Sequence, residues 1–288
     1  MVFLAYRMAN GEMRFLGSAF YLGRAPDGYS GGVAPASGTQ LVTAKHLIER
    51  VRKRGLSHIF IRVNVKSGET AWVVTQISSW QFHPSDPSVD VAMLPAGVPS
   101  EWDHIVVPTV AAFSAEQASK HEIALGEEVF IVGLFRHHRG KKRNIPIVRV
   151  GNLAALDEEK VQVADGLIDA YLIEARSLGG LSGAPVFLNL GAVRNVNGQI
   201  IASRGPGPIV LLLGLIHGHY DVDVLKIDAQ IEPAELTPER INTGIAVVVP
   251  IERILETFDA CSPPGAQAWS IPIRLVDDAT LADPNLVL

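Results

Sequence analysis

Cysteine is almost absent from this chain, and other absences narrow its class further. The 288 residues include one cysteine, Cys261, so no disulfide can form within the chain. The most apolar late stretch, residues 209–216, is too short to cross a bilayer as a helix. The N-terminus has no basic segment followed by a long apolar run, so we expect no signal peptide. We therefore expect a cytoplasmic protein without a membrane partner.

Charge is also sparse, and neither sign dominates. Charged residues make up 19% of the chain and hydrophobic residues 48%, which is typical of a globular protein and excludes a disordered one. The formal net charge is -5, so bulk charge does not predict direct binding to nucleic acid. The length allows one large domain or two modest ones.

The pattern of hydrophobic residues predicts an all-β fold. Short segments rich in Val, Ile and Phe are separated by Gly, Pro, Asn or Asp, which is typical of sandwiches and barrels. These segments are residues 15–21, 40–43, 58–65, 71–77, 91–94, 128–133, 145–150, 184–188, 209–216 and 244–249. Helical spacing predicts a short helix over 46–54 and a clearer one over 250–258, where Pro250 suits a first helical position.

A polar stretch at 114–122 divides the chain into two halves. We predict an N-terminal β-barrel over residues 1–113, a linker over 114–125, and a C-terminal barrel with its terminal helix over 126–260. Residues 261–288, which begin with Pro and Gly punctuation, are predicted to form a tail. A site that draws on both halves would lie in the cleft between them.

Three segments each set one reactive side chain in an apolar or glycine-rich stretch. They supply an imidazole from His46, a carboxylate from Asp90 and a hydroxyl from Ser182. These three groups can convert serine into a nucleophile that attacks a carbonyl. Asp86 is a rival carboxylate, but Asp90 opens the apolar strand where a buried partner for imidazole should lie. The glycines around Ser182 would let the amides of Gly180 and Ser182 bind an oxyanion.

The order of these residues separates two classes of serine hydrolase. His–Asp–Ser differs from the Ser–Asp–His order of α/β-hydrolases. The Gly-x-Ser-x-Gly motif of that fold is also absent, because residue 184 is alanine. Both observations disfavour an α/β-hydrolase.

The motifs resemble those of chymotrypsin-fold, trypsin-like serine peptidases, especially the disulfide-free HtrA-like branch of bacteria. Residues 40–48 (QLVTAKHLI) are similar to the family's Val-Thr-Ala-Ala-His segment, and 89–94 (VDVAML) to its Asp-Ile-Ala-Leu-Leu segment. Residues 180–185 (GLSGAP) are similar to Gly-Asp/Asn-Ser-Gly-Gly-Pro. The resemblance extends over residues 12–258, and too few residues follow for a PDZ module.

The resemblance implies two antiparallel β-barrels with the active site between them. It implies a serine endopeptidase that needs no cofactor and acts on a protein or peptide, with His46, Asp90 and Ser182 as the triad. Leu181 stands where the family often has aspartate, so activation by a new N-terminus is not expected. Some intracellular relatives are triggered by a partner protein. A catalytically silent binding module on the same fold and an esterase remain alternatives.

Three further features bear on specificity and metals. Aligned to the family without gaps, Arg176, His217 and His219 fall near the primary specificity pocket. There they would favour a substrate with an acidic or polar side chain before the cut bond. The alternative is that Arg176 is an exposed loop residue and His217 a core histidine with satisfied hydrogen bonds. The basic run at 136–143 is typical of a solvated loop. The paired histidines lack the ligand spacing of structural zinc sites, so we expect no metal.

Overall fold

The computed structural model describes most of the chain. The described residues are 1–25, 37–135, 138–156, 159–163, 166–175, 180–203, 207–223, 240–262 and 274–276. Arg176 and the first two residues of the basic run, Arg136 and His137, lie outside them. Within these residues, no helix has the length and apolar character needed to cross a membrane.

Strands dominate the described residues, as the sequence predicts. The first unit contains β1 (Val2–Arg7), β2 (Met13–Arg24), β3 (Ser37–Thr43), β4 (His58–Asn64), β5 (Thr70–Gln76), β6 (Gln81–Phe82), β7 (Ala92–Pro95) and β8 (Val106–Pro108). The second contains β9 (Glu128–Leu134), β10 (Pro146–Ala155), β11 (Val161–Val163), β12 (Gly166–Ile168), β13 (Tyr171–Glu174), β14 (Pro185–Asn189), β15 (Val193–Val196), β16 (Gln199–Ala202), β17 (Val210–Asp223) and β18 (Arg240–Pro250). A last strand, β19 (Arg274–Val276), follows.

The helices are short and lie at the ends of strands. They are α1 (Lys45–Arg52), α2 (Ala115–Lys120) and α3 (Ile251–Cys261), with 3₁₀ turns at Ile77–Ser79 and Thr109–Ala111. Pro250 ends β18 and immediately precedes the first residue of α3, whereas the sequence predicted it at the first helical position itself. The helix then buries Ile251, Ile254 and Phe258 against the core, which is the face that the sequence predicted.

The first unit is one extended antiparallel ladder. Its strand order is β19-β5-β4-β1-β2-β3-β7-β6, and β8 pairs in parallel with β2. In the described part of the chain this ladder stays open, because no hydrogen bonds join its two ends. β19 adds a strand next to β5, so part of the segment that we assigned to a tail belongs to this sheet.

The second unit closes on itself. Strands β10-β13-β18-β17-β14-β9 form a barrel, and two hairpins, β11-β12 and β15-β16, lie outside it. Most buried Val, Leu and Ile side chains of β14, β17 and β18 belong to the main hydrophobic core of the molecule. The predicted all-β architecture of two antiparallel β-barrels with a C-terminal helix is confirmed, with the difference that only the second barrel closes among the described residues and the first is a half-barrel.

Backbone and side-chain hydrogen bonds join the two units. The connection between them carries α2, whose first turn is capped by the Ser114 hydroxyl, and Phe113 N–H then donates to Leu212 O of β17 at 2.9 Å. Nearer the cleft, Ser18 N–H of β2 donates to Ser182 O at 2.9 Å. The predicted cleft between the halves therefore has Ser182 on its border.

The basic run belongs to the loop between β9 and β10 and is held against the first unit. Arg62 of β4, only 5% exposed, donates to the carbonyl oxygens of Arg139, Gly140 and Lys141 at 3.0–3.2 Å. Asn144 is fully buried and exchanges hydrogen bonds with Asn64. The backbone of this loop is thus anchored, while its described basic side chains are exposed.

Candidate active site

His46 is the second residue of α1, immediately after β3 ends. The helix is fixed by Leu47, Ile48 and Val51, which are all buried in the core. Because these residues occupy the inner face, the His46 side chain is left at the edge of the helix and is 19% exposed. The motif thus places the His46 imidazole at the protein surface on a helix that the core holds in place.

Asp90 holds His46 at two points. Its Oδ1 accepts a hydrogen bond from the His46 backbone N–H at 2.8 Å, and its Oδ2 lies 2.8 Å from His46 Nδ1. With Nδ1–H directed at the carboxylate, Nε2 is left as the proton acceptor. This arrangement fixes both the tautomer and the orientation of the ring.

The carboxyl group of Asp90 is buried, with the residue only 7% exposed. Burial on its own would raise the pKa of Asp90. The charge of His46 and the hydrogen bonds from His217 and His46 outweigh that effect, so the pKa lies well below its ordinary value. Asp90 is therefore an anion at neutral pH, as a partner of imidazole must be.

Two neighbours of the pair are engaged elsewhere. The rival carboxylate, Asp86, accepts hydrogen bonds from the N–H and hydroxyl of Ser88 at 2.8 and 2.6 Å. These bonds, led by the hydroxyl, lower the pKa of Asp86. Lys45 donates to Pro87 O at 2.5 Å. Both contacts shape the loop that presents Asp90.

Ser182 lies in a tight turn between the two units. Its carbonyl accepts from Ser18 N–H of the first unit, and Gly183 N–H donates to Ile216 O of the second at 2.8 Å. Ala184 N–H closes the turn on Leu181 O at 2.8 Å. The backbone of the proposed nucleophile is thus hydrogen-bonded to both walls of the cleft.

Gly183 shows how closely this turn approaches the segment that leads into α1. Its φ is +79°, and a Cβ there would lie 2.3 Å from both Ser18 O and Thr43 Oγ1 and 3.1 Å from Ala44 N. Only glycine fits such a position. The residue after Ser182 therefore packs on the residues just before the Lys45–His46 pair.

The turn that carries Ser182 packs on the residue before α1, but in the described part of the chain the Ser182 hydroxyl makes no direct hydrogen bond to His46. The hydrogen bonds of the described residues include none between the Ser182 hydroxyl and the His46 ring. In resting enzymes such bonds are often long and tighten when substrate binds. The structure thus brings the three segments together and pairs His46 with Asp90.

The amides of Gly180 and Ser182 are not donors in any hydrogen bond recorded among the described residues. Ser18, which is fully buried, supports this loop: its Oγ donates to Gly180 O at 3.1 Å and accepts from Leu134 N–H at 3.0 Å. Leu181 is fully buried and packs on Gly133, where a Cβ would lie 2.4 Å from its side chain. The position that often holds aspartate in the family is therefore part of an apolar core.

His217 contributes a contact that the sequence did not reveal. Its Nδ1 lies 2.5 Å from Asp90 Oδ2, the same oxygen that faces His46. The rings of His217 and His46 meet edge to face, with centroids 5.3 Å apart and planes at 72°. His219 lies two residues further along β17, and Arg176 is outside the described residues. The specificity role of these three residues stays a prediction.

The structure is similar to solved bacterial protease domains. The MamO protease domain from Magnetospirillum magneticum is 15% identical, with 83% of this chain and 94% of that chain covered and a TM-score of 0.44. The inactive form of the Rv3671c protease of M. tuberculosis is 16% identical, with 92% and 88% covered and a TM-score of 0.44. Cellulomonas bogoriensis chymotrypsin is 14% identical, with 84% and 94% covered and a TM-score of 0.33. No family model and no curated protein matches the sequence.

Proposed function

We propose that this protein is a serine endopeptidase that hydrolyses peptide bonds through an acyl-enzyme. The proposal rests on the two hydrogen bonds between Asp90 and His46, one at the His46 backbone N–H and one at its Nδ1. These bonds leave His46 Nε2 as a base, and the turn that carries Ser182 packs on the segment that leads into α1. The chemistry requires the carboxylate, the imidazole and the hydroxyl to follow one another in space, with the imidazole in the middle.

In the proposed reaction, His46 Nε2 accepts the hydroxyl proton while Ser182 Oγ bonds to the substrate carbonyl carbon. Asp90 stabilises the imidazolium that results. The amides of Gly180 and Ser182 donate to the oxyanion, and His46 then returns the proton to the leaving amine. Water, activated by the same base, releases the acyl group and restores the serine. No step calls for a cofactor.

We infer a protein or peptide substrate, because this set of groups suits acyl transfer from a peptide carbonyl. Control by a partner protein and a cytoplasmic location remain proposals that rest on the sequence. A catalytically silent binding module is the second candidate. The absence of a hydrogen bond between the Ser182 hydroxyl and His46 within the described residues favours it.

Proteolysis of an unfolded protein such as β-casein tests the proposal. We expect Ser182→Ala to lower kcat/KM by at least about 1000-fold, because the nucleophile is lost. Ser57→Ala, which removes an exposed serine hydroxyl, is the matched control and should cleave at the rate of the unmodified chain. Equal cleavage by Ser182→Ala would exclude the mechanism. Hydrolysis of p-nitrophenyl esters without cleavage of amides would favour the esterase alternative.

A further inference from the structure

One carboxylate oxygen at the candidate active site faces two imidazoles. Asp90 Oδ2 lies 2.8 Å from His46 Nδ1 and 2.5 Å from His217 Nδ1. The three side chains come from α1, the segment before β7, and β17. Their ligand atoms all lie within 4.8 Å of one another.

We propose that His46, Asp90 and His217 form an inhibitory Zn²⁺ site. Two imidazole nitrogens and one carboxylate oxygen are ligands that zinc prefers, with water in a fourth position. In the part of the chain that the structure describes, this is the one group of three such side chains with ligand geometry. The inhibition, though not the binding, rests on the proposed peptidase function.

The rings are already spaced for a tetrahedral ion. With Zn–N distances of about 2.05 Å and a tetrahedral angle, two coordinating imidazoles have centroids about 5.2 Å apart. The centroids of His46 and His217 are 5.3 Å apart. The ligand atoms themselves would be about 3.3 Å apart around zinc, so each contact to Asp90 Oδ2 must lengthen by about 0.5–0.8 Å. Small rotations of the side chains provide this change.

The second carboxylate oxygen of Asp90, Oδ1, is held in a way that suits metal coordination through Oδ2 alone. Oδ1 accepts the His46 backbone N–H at 2.8 Å, and that bond does not involve the ring. Oδ1 can therefore keep its partner while Oδ2 binds the ion. Hydrogen bonds that orient a ligating carboxylate in this way are typical of metal sites.

Zinc at this position would disable the base. Coordination through His46 Nδ1 uses the lone pair of that nitrogen, so the proton of the neutral ring moves to Nε2. A protonated Nε2 cannot accept the hydroxyl proton of Ser182. The dication also opposes formation of an imidazolium beside it. Binding would thus inhibit reversibly, without any change of fold.

Direct metal binding tests the site without reference to activity. After removal of metals with EDTA, we expect one Zn²⁺ per chain by calorimetry, and a visible spectrum of tetrahedral Co²⁺ that Zn²⁺ abolishes. Mg²⁺ should not bind, because it prefers oxygen ligands. His217→Gln should lower Zn²⁺ affinity at least about 100-fold, since loss of an outer-shell partner alone costs 10–100-fold.

Matched variants separate a true site from adventitious binding. His58→Gln, which alters a partly buried histidine of β4 that bonds to Ser57, should bind Zn²⁺ like the unmodified chain. His217→Ser retains a hydroxyl donor in place of the ring but should lose the ion, which guards against misfolding of His217→Gln. Unaltered binding by both His217 variants, or no binding by the unmodified chain, would overturn the proposal.

The binding test is independent of the proposed function. Ser182 is not a ligand, so Ser182→Ala should bind Zn²⁺ normally. If zinc binds but the chain never cleaves protein, the peptidase function fails and the site stands. If the chain cleaves protein and Zn²⁺ neither binds nor inhibits, the site fails and the function stands.

Discussion

The buried hydroxyl of Ser18 offers a test of how the nucleophile loop is held. It accepts from Leu134 N–H at 3.0 Å and donates to Gly180 O at 3.1 Å, and the residue has no exposed surface. Ser18→Ala would leave a buried N–H and a buried C=O without partners. Each such group costs about 1–3 kcal/mol, so we expect the free energy of unfolding to fall by about 2–6 kcal/mol.

The same substitution should weaken the oxyanion site, because the Gly180–Leu181 peptide, which lies between the donor amides of Gly180 and Ser182, would lose the bond to its carbonyl oxygen. Loss of one oxyanion donor lowers kcat by about 100-fold or more, so a loosened donor should lower it by a smaller factor of about 10. Urea unfolding, followed by tryptophan fluorescence, measures the first effect. Ser78→Ala, which removes an exposed hydroxyl, is the control and should stay within about 0.5 kcal/mol. If Ser18→Ala unfolds as late as the control, the bridging role is wrong.

Three further predictions concern buried or partly buried groups. Leu181→Asp places a carboxylate in the apolar contact with Gly133 and should lower the free energy of unfolding by at least about 3 kcal/mol; unchanged urea stability would contradict this. The folded pKa of Asp90 is depressed, so its stabilising contribution is complete above its unfolded pKa of about 4 and is lost as pH falls further. The unfolding free energy of Asp90→Asn should therefore fall less than that of the unmodified chain as the pH is lowered from neutral to acidic. If it falls equally in both proteins, the pairing of Asp90 with His46 does not stabilise the fold. Burial raises the pKa of the Cys261 thiol to about 11, so alkylation by iodoacetamide should be slow at pH 8 and accelerate towards that value; rapid labelling at pH 8 would refute it.

Much of the fold followed from local patterns in the sequence. Short apolar segments bounded by turn residues, and the amphipathic segment after Pro250, predicted most of the strands and the C-terminal helix. The hairpin β15-β16 was missed because its strands are only four residues long and mostly exposed, so they show no buried apolar face. Its turn carries the signal that could have revealed it: Asn197-Gly198 have φ of +50° and +79°, as a two-residue hairpin turn requires.

The helix in the linker was missed for a similar reason. Residues 114–122 are mostly polar and have alanine as their only apolar residue type, so they show no clear apolar face. The Ser114-x-x-Gln117 pattern is a capping signal, and Ser114 Oγ does accept from Gln117 N–H at 3.2 Å. The capping pattern is thus the signal that could have indicated this helix, which hydrophobic periodicity could not.

The contact of His217 with Asp90 could not be predicted from sequence spacing. The register of β17 against β18 shifts between Ile216 and Gly218. Such an irregularity changes the face to which the following side chains point. Several neighbouring leucines of β17 are buried in succession, so a period of two is not visible either. Tertiary packing alone sets the direction of this histidine.

Reaction with a fluorophosphonate probe tests the central claim most directly, because the probe labels a serine only where a base activates it. After incubation of the folded chain and digestion, mass spectrometry should locate one adduct, on Ser182. The adduct should disappear when the chain is unfolded in urea before labelling, and in His46→Ala. A folded chain that leaves Ser182 unlabelled under conditions that label a known serine peptidase would contradict the account.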